Sequence, residues 1–215
     1  MKIKITGILL LMMLLGQSCS NGQSNKSINN KDMQRRIDFE LLEAKAIKEA
    51  ILGESYYEYT LEYEDSDGNW HKISGNKADG FIEWETPKLP FFHKVFSAYY
   101  GNGMLKLTGS CIGHASTRIG DWEYFDEKGN KIRQVNEDVK YGAYNYKKVL
   151  GFLNENEHIN LETGEKRENL SMVYDQEKKI WYVSITDEFY MIIEYEIDGT
   201  TGAVINKKEY QGGME

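Results

Sequence analysis

One-by-one alternation of apolar and polar side chains is the feature that most limits what this chain can form. Tyr57, Tyr59, Leu61 and Tyr63 interleave with Tyr56, Glu58, Thr60 and Glu62, the period-two pattern of a half-buried strand. Asp65-Ser66-Asp67-Gly68-Asn69 then reads as a turn before a second strand from Trp70 to Ile73. Further short strands are expected at 81–85, 94–100, 104–108, 121–125 and 131–135, with Gly and Asn between them as turn points. A second series follows. Leu170, Met172 and Tyr174 alternate, then Trp181, Val183 and Ile185, then Phe189 through Ile197, and Val204-Ile205 closes it.

Two stretches keep the helical period instead. Ile37, Leu41, Ala44, Ile47 and Ile51 predict a helix over 30–52, capped by Asn30 and stopped by Gly53. Tyr146, Val149, Leu150 and Leu153 predict a second over 144–154. The expected class is α+β: mainly antiparallel β-hairpins in a meander, with an N-terminal helix and a C-terminal helix packed on a small antiparallel sheet.

The chain has 215 residues, 26 basic and 34 acidic, for a formal net charge of −8. That balance repels phosphate backbones, so no nucleic-acid partner is expected. The only long apolar run is Ile8 to Leu15, too short to span a bilayer. Lys2 and Lys4 precede it and Gly16-Gln17-Ser18-Cys19 follows, which reads as a secretory leader over 1–18. Residues 19–30, from Cys19 through Ser20-Asn21-Gly22-Gln23, read as a flexible polar tether. With Cys19 set aside, Cys111 stands alone and no intrachain disulfide can form.

The leader and Cys19 resemble a bacterial lipoprotein precursor, which implies lipidation of Cys19 and an anchor in an envelope membrane. The usual lipobox has Leu three residues before the cysteine, where this chain has Gly16. Gly16 and Ser18 also fit ordinary leader cleavage, which would release a secreted protein. Ser20, where some inner-membrane lipoproteins carry Asp, implies an outer-membrane or periplasm-facing position.

An internal echo links Glu62–Asn69 to Glu123–Asn130, which share Glu, Tyr, Asp, Gly and Asn at matching positions, with a weaker copy at Tyr99–Lys106. Common turn chemistry and true repetition both account for it. The series Tyr99, Gly120-Asp121-Trp122-Glu123-Tyr124 and Gly129-Asn130-Lys131-Ile132 resembles the variant MORN repeat of antitoxin-like proteins. That resemblance implies a flat surface of repeated hairpins without catalysis. Trp181-Tyr182-Val183-Ser184-Ile185 and Asp198-Gly199-Thr200-Thr201-Gly202-Ala203-Val204-Ile205 resemble a PepSY-type domain, a family associated with binding or inhibition. The expected domains are 31–140, helix plus MORN-like meander, and 141–215, PepSY-like.

Candidate chemistry is thin. Gly109-Ser110-Cys111-Ile112-Gly113 has the outline of a nucleophile elbow, with His114 beside it, but no strand-to-helix step follows, and a glycine-rich hairpin tip is the better reading. Asp65–Asn69 lacks the Gly and Glu spacing of a calcium loop. His71, His93, His114 and His158 are dispersed without metal-ligand spacing. No catalytic set, metal or cofactor is therefore expected. Fifteen Tyr invite an interaction surface, and Tyr56, Tyr100 and Tyr190, off the parity of their apolar neighbours, are its candidates.

The expected function is a non-enzymatic envelope lipoprotein that presents its sheets to another envelope protein or peptide. The alternatives are an immunity or antitoxin-like protein, whose acidic body would suit a basic toxin, and a hydrolase using Cys111.

Overall fold

Tight hairpin turns set the architecture. In the computed structural model, described for residues 35–51, 57–114, 117–187 and 189–212, twelve strands form two antiparallel sheets. The first is an uninterrupted meander of β1 (Ile47–Ala50), β2 (Tyr57–Glu64), β3 (Trp70–Asn76), β4 (Gly80–Thr86), β5 (His93–Tyr99), β6 (Leu105–Ile112), β7 (Thr117–Phe125) and β8 (Lys131–Asn136), paired in that order. The second runs β12 (Val204–Gln211), β11 (Met191–Asp198), β10 (Ile180–Thr186), β9 (Leu170–Asp175). The helices among the described residues are α1 (Phe39–Lys45) and α2 (Tyr146–Glu155).

Those proportions correct the expected α+β class. A long eight-stranded sheet dominates, and the helices are two short segments among the described residues. The clearest reversal is the expected helix over 30–52. Residues 30–34 lie outside the described ones. Beyond them the helix starts at Asp38, whose carboxylate accepts from Leu41 N–H at 2.9 Å, and ends at Ala46, where the backbone turns extended. Ile47–Ala50 then pairs with β2, Ile47 opposite Thr60. Ile47 and Ile51 do fit a helical period, but without β1 the outer edge of β2 would keep unpaired backbone groups. Edge pairing meets that demand, and all four β1 side chains stay exposed.

The echoed segments share one turn geometry. Asp65 N–H donates to Asn69 O at 3.0 Å and Gly68 N–H to Asp65 O at 3.2 Å; Asp126, Asn130 and Gly129 repeat this at 3.0 and 2.9 Å. Tyr100, Met104 and Gly103 make the same pair of bonds at 2.9 and 2.8 Å. Gly68, Gly103 and Gly129 have φ of 82°, 83° and 84°, the left-handed conformation that closes such hairpins and favours glycine. In the first and last turns the Asp carboxylate also accepts two backbone N–H groups and the Asn amide.

Two cores result. Leu42 of α1 and Ile37 pack on Tyr59, Leu61, Ile73, Phe81, Tyr99 and Leu105, so α1 covers one face of the early strands. Val149, Leu150 and Leu153 of α2 pack on Leu170, Met172, Trp181, Val183, Ile185, Tyr195 and Ile197. Ile112 and Ile119, from the far end of the long sheet, join that second core. There the sheets meet at an edge: His114 N–H donates to Leu170 O at 2.9 Å and the Thr117 hydroxyl to Met172 O. No helix among the described residues is long and apolar enough to cross a membrane.

Candidate functional site

The side of the long sheet away from α1 is built by register. Trp70 stands opposite Thr86, Lys72 opposite Trp84, and Ser74 opposite Ile82. Trp84 pairs with Phe96 and Ile82 with Ala98; these continue to Gly109 and Leu107, and Leu107 to Tyr124 and Arg133. Directly opposed residues point the same way. Trp70, Ile82, Trp84, Phe96, Ala98, Leu107 and Tyr124 therefore share one face, and all are half-buried or exposed. Trp70 and Ile82 keep 45% and 41% of their surface in water.

An aromatic row crosses this face. Trp84 and Phe96 have ring centroids 4.8 Å apart, and Phe96 and Trp122 are stacked at 6.1 Å. Trp122 reaches that position because β6 has glycine beneath it: a Cβ on Gly109 would lie 2.3 Å from the indole. Its N–H donates to Ser110 O at 3.2 Å, and the Arg118 guanidinium lies 4.1 Å above the ring. Beside the row, Trp70, Lys72, Trp84, Thr86, Lys94, Gly113 and His114 line an open groove of about 270 Å³.

Within β3–β8 the acids keep to one side of the sheet. β3–β8 place Lys72, Lys94, Arg118 and Arg133 on this side and no Asp or Glu. The same register puts Glu83, Glu85 and Glu123 on the other side. Acids reach the open face only from its margins. Glu62 on β2 pairs with Lys72 at 2.7 Å, Glu168 with Lys94 at 3.0 Å, and Glu137 approaches Arg118 at 3.7 Å.

The opposite side holds the most concentrated titratable chemistry. Glu83, 5% exposed, accepts from the Tyr99 hydroxyl at 2.5 Å and from Arg35 at 3.2 Å, and it faces His71 Nδ1 at 2.8 Å. His71 Nε2 lies 3.2 Å from Asp65 Oδ2, and Tyr63 stacks on the imidazole at 4.8 Å. Carboxylates only accept, so both histidine contacts are hydrogen bonds when both ring nitrogens carry hydrogen. Arg35 also reaches Glu85 at 3.0 Å, so the cluster fastens the segment before α1 to β4. Burial pushes the Tyr99 hydroxyl up, and the Asn69 N–H bond leads those that hold the Asp65 carboxyl well below the usual range.

Cys111 is no hairpin-tip residue. Gly109 to Ile112 lie within β6, paired with β5 and, from Ser110 on, with β7, and the thiol is 3% exposed. Burial pushes that thiol up to about 11, which leaves it neutral at ordinary pH. Of the remaining histidines, His93 and His114 line one small cleft, where His114 contacts the Glu168 carbonyl, and His158 lies 2.7 Å from the Tyr195 hydroxyl. Among the described residues no group of three or more His, Cys, Asp or Glu is placed to hold a metal ion.

Of the residues singled out from sequence, Cys19 and Tyr56 lie outside the described ones. Tyr100 sits in the β5–β6 turn, half-buried, its hydroxyl donating to Phe125 O at 2.9 Å. Tyr190 is in the β10–β11 turn, 56% exposed, with φ of 59°. They belong to different sheets, and neither lines the groove beside Trp70. The aromatic and basic face escaped sequence reasoning. Its signal was available in the shared parity of Lys72, Trp84, Phe96 and Tyr124, but only strand order brings these residues side by side.

No protein-family model, curated protein or solved structure matches this chain.

Proposed function

We propose that this protein is a non-enzymatic recognition module that binds another protein through the open face of its eight-stranded sheet. The observation that carries the reading is the apolar surface of Trp70, Ile82, Trp84 and Phe96, which no described element covers. Contiguous exposed apolar surface rimmed by charge marks interaction sites, and aromatic rings dominate the energetics of such sites. The buried thiol supports the non-enzymatic part of the reading.

The proposed setting is the outward side of a bacterial envelope membrane, with the body tethered through a lipidated Cys19. That part rests on the leader pattern alone. Palmitate labelling in the host tests it: incorporation into the wild-type chain and none into Cys19→Ser is expected, and an unlabelled wild-type chain refutes it.

The binding reading is tested by photo-crosslinking from position 82 in the host, with and without Trp70→Ser. A discrete crosslinked protein that disappears with Trp70→Ser, while the melting curve is unchanged, is expected. Crosslinking indifferent to Trp70, or absent throughout, rejects the face as the binding surface.

A further inference from the structure

We infer that the occupant of this face is an acidic protein segment carrying apolar side chains; the inference rests on the reading of the face as a docking surface and names the chemistry of its partner. The argument is charge complementarity. In a chain of net charge −8, the strands β3–β8 contribute Lys72, Lys94, Arg118 and Arg133 to this side and no carboxylate. On β2 the same side carries Glu58, Glu62 and Glu64, so the acid-free stretch is β3–β8 and not the whole side. A surface of that sign steers and selects an anionic partner.

Lys72, Lys94 and Arg133 are available, whereas Arg118 is partly engaged by Glu137 and the Tyr124 hydroxyl. Lys72 and its partner Glu62 have side chains 53% and 43% exposed, and an ion pair so far in water contributes little, so a partner carboxylate exchanges for Glu62 at small cost. Glu168, which holds Lys94, is itself 52% exposed. Arg118 and Arg133 lie over the rings of Trp122 and Tyr124 at 4.1 and 5.3 Å. Stacking uses the flat of a guanidinium and leaves its N–H edge to pair with a carboxylate. Glu137, 3.7 Å from Arg118, faces that arginine from the neighbouring turn and would have to be matched or displaced.

The surface between the cations selects a protein segment over other anions. Ile82, Ala98 and Leu107 are aliphatic and fit apolar side chains, whereas Trp84 and Phe96 are packed against each other and half-buried, not standing free as sugar platforms. Sugar hydroxyls also need acceptors. Apart from Asn76, which is buried and already bonded to Glu58 and Asp79, these strands offer no carboxylate or side-chain amide on this face. A polyphosphate chain would meet Glu58, Glu62 and Glu64 along the β2 margin and an acidic body beyond. Those same acids bound the site, confining an acidic segment to β3–β8.

Fluorescence anisotropy on the full chain tests this, with three labelled decapeptides alternating Leu with Glu, Ser or Lys, and with an oligogalacturonate as an anionic glycan. The Glu–Leu peptide is expected to bind most tightly. Its dissociation constant should rise about tenfold between low salt and about 0.3 M salt, where surface charge is screened. The variant K72E/R133E, altered at two exposed positions, should abolish the preference for Glu–Leu over Ser–Leu, and K72R/R133K should retain it. Equal binding of the Glu–Leu and Ser–Leu peptides overturns the acidic partner and leaves the docking face standing. So does tighter binding of Lys–Leu. Binding of the oligogalacturonate without any peptide overturns it in favour of a glycan. If no probe binds and crosslinking from position 82 is indifferent to Trp70, the inference and the reading beneath it both fall.

Discussion

Gly109 and Trp122 occupy one another's space: the indole ring lies where a side chain at position 109 would begin, 2.3 Å from the site of its Cβ. Trp122 is 1% exposed and closes the aromatic row that starts at Trp84. Gly109→Ala must push a packed ring or bend β6, an overpacking that costs about 1–3 kcal/mol. The expected outcome is a lower urea midpoint, a shifted tryptophan emission and weaker partner binding, read by equilibrium denaturation and fluorescence. An unchanged midpoint and spectrum would show that the row is not tightly packed.

Glu83 is the hub of the buried cluster, with Arg35, His71 and Tyr99 all directed at its carboxylate. Glu83→Ala takes the buried partner from the Tyr99 hydroxyl and His71 Nδ1 while Arg35 keeps Glu85, and breaking a buried charged network in this way costs about 3–5 kcal/mol. Tyr99→Phe removes one hydrogen bond and should cost about 1–2 kcal/mol. Denaturant titration of both variants checks the order, and equal losses would contradict the hub.

Cys111 should resist modification in the native state. A thiol near 11 has roughly a hundredfold less thiolate at pH 8 than one at the ordinary 9.0, before its burial is counted. Because the folded value lies above the unfolded one, the linked stability is fully present below pH 9 and is lost as pH rises from 9 towards 11. The loss reaches about 2–3 kcal/mol. Thiol-reagent kinetics and denaturation at pH 8 and pH 10 measure both effects; fast labelling at pH 8 would place the thiol in solvent.

Asp65 and Asp126 close turns of the same geometry, but only Asp65 also bonds His71. Asp65→Ala should therefore lower the melting temperature more than Asp126→Ala. The Asp65 carboxyl is held below its ordinary 3.8, so its contribution is complete above that pH and fades as pH falls through the lower folded value. Thermal scans at pH 7 and pH 3 test the ranking; equal shifts would separate the turn from the buried cluster.

How much of this could be read from the sequence depends on the range of the interaction. The strand from Tyr57 and the turns at Asp65–Asn69 and Asp126–Asn130 were legible because alternation and a Gly in the left-handed region act within a few residues. The helix expected up to Leu52 was not, because Ile47–Ala50 answers to the distant partner Tyr57–Thr60 and not to its own period. Cys111 was misplaced at a hairpin tip for the same reason: its place within β6 comes from pairing with β5 and β7.

By itself the sequence determined that the body is built of alternating strands joined by glycine turns and carries a surplus of acid. Only the tertiary structure decided which side of the long sheet α1 covers, that Glu83 is buried and satisfied, and that Lys72, Lys94, Arg118 and Arg133 share a side with Trp84 and Phe96. Alternation assigns residues to two sides of a strand, but it cannot say which side meets a neighbour. That choice depends on where a segment remote in sequence comes to rest, because burial depends on all the surfaces brought together and not on any one strand.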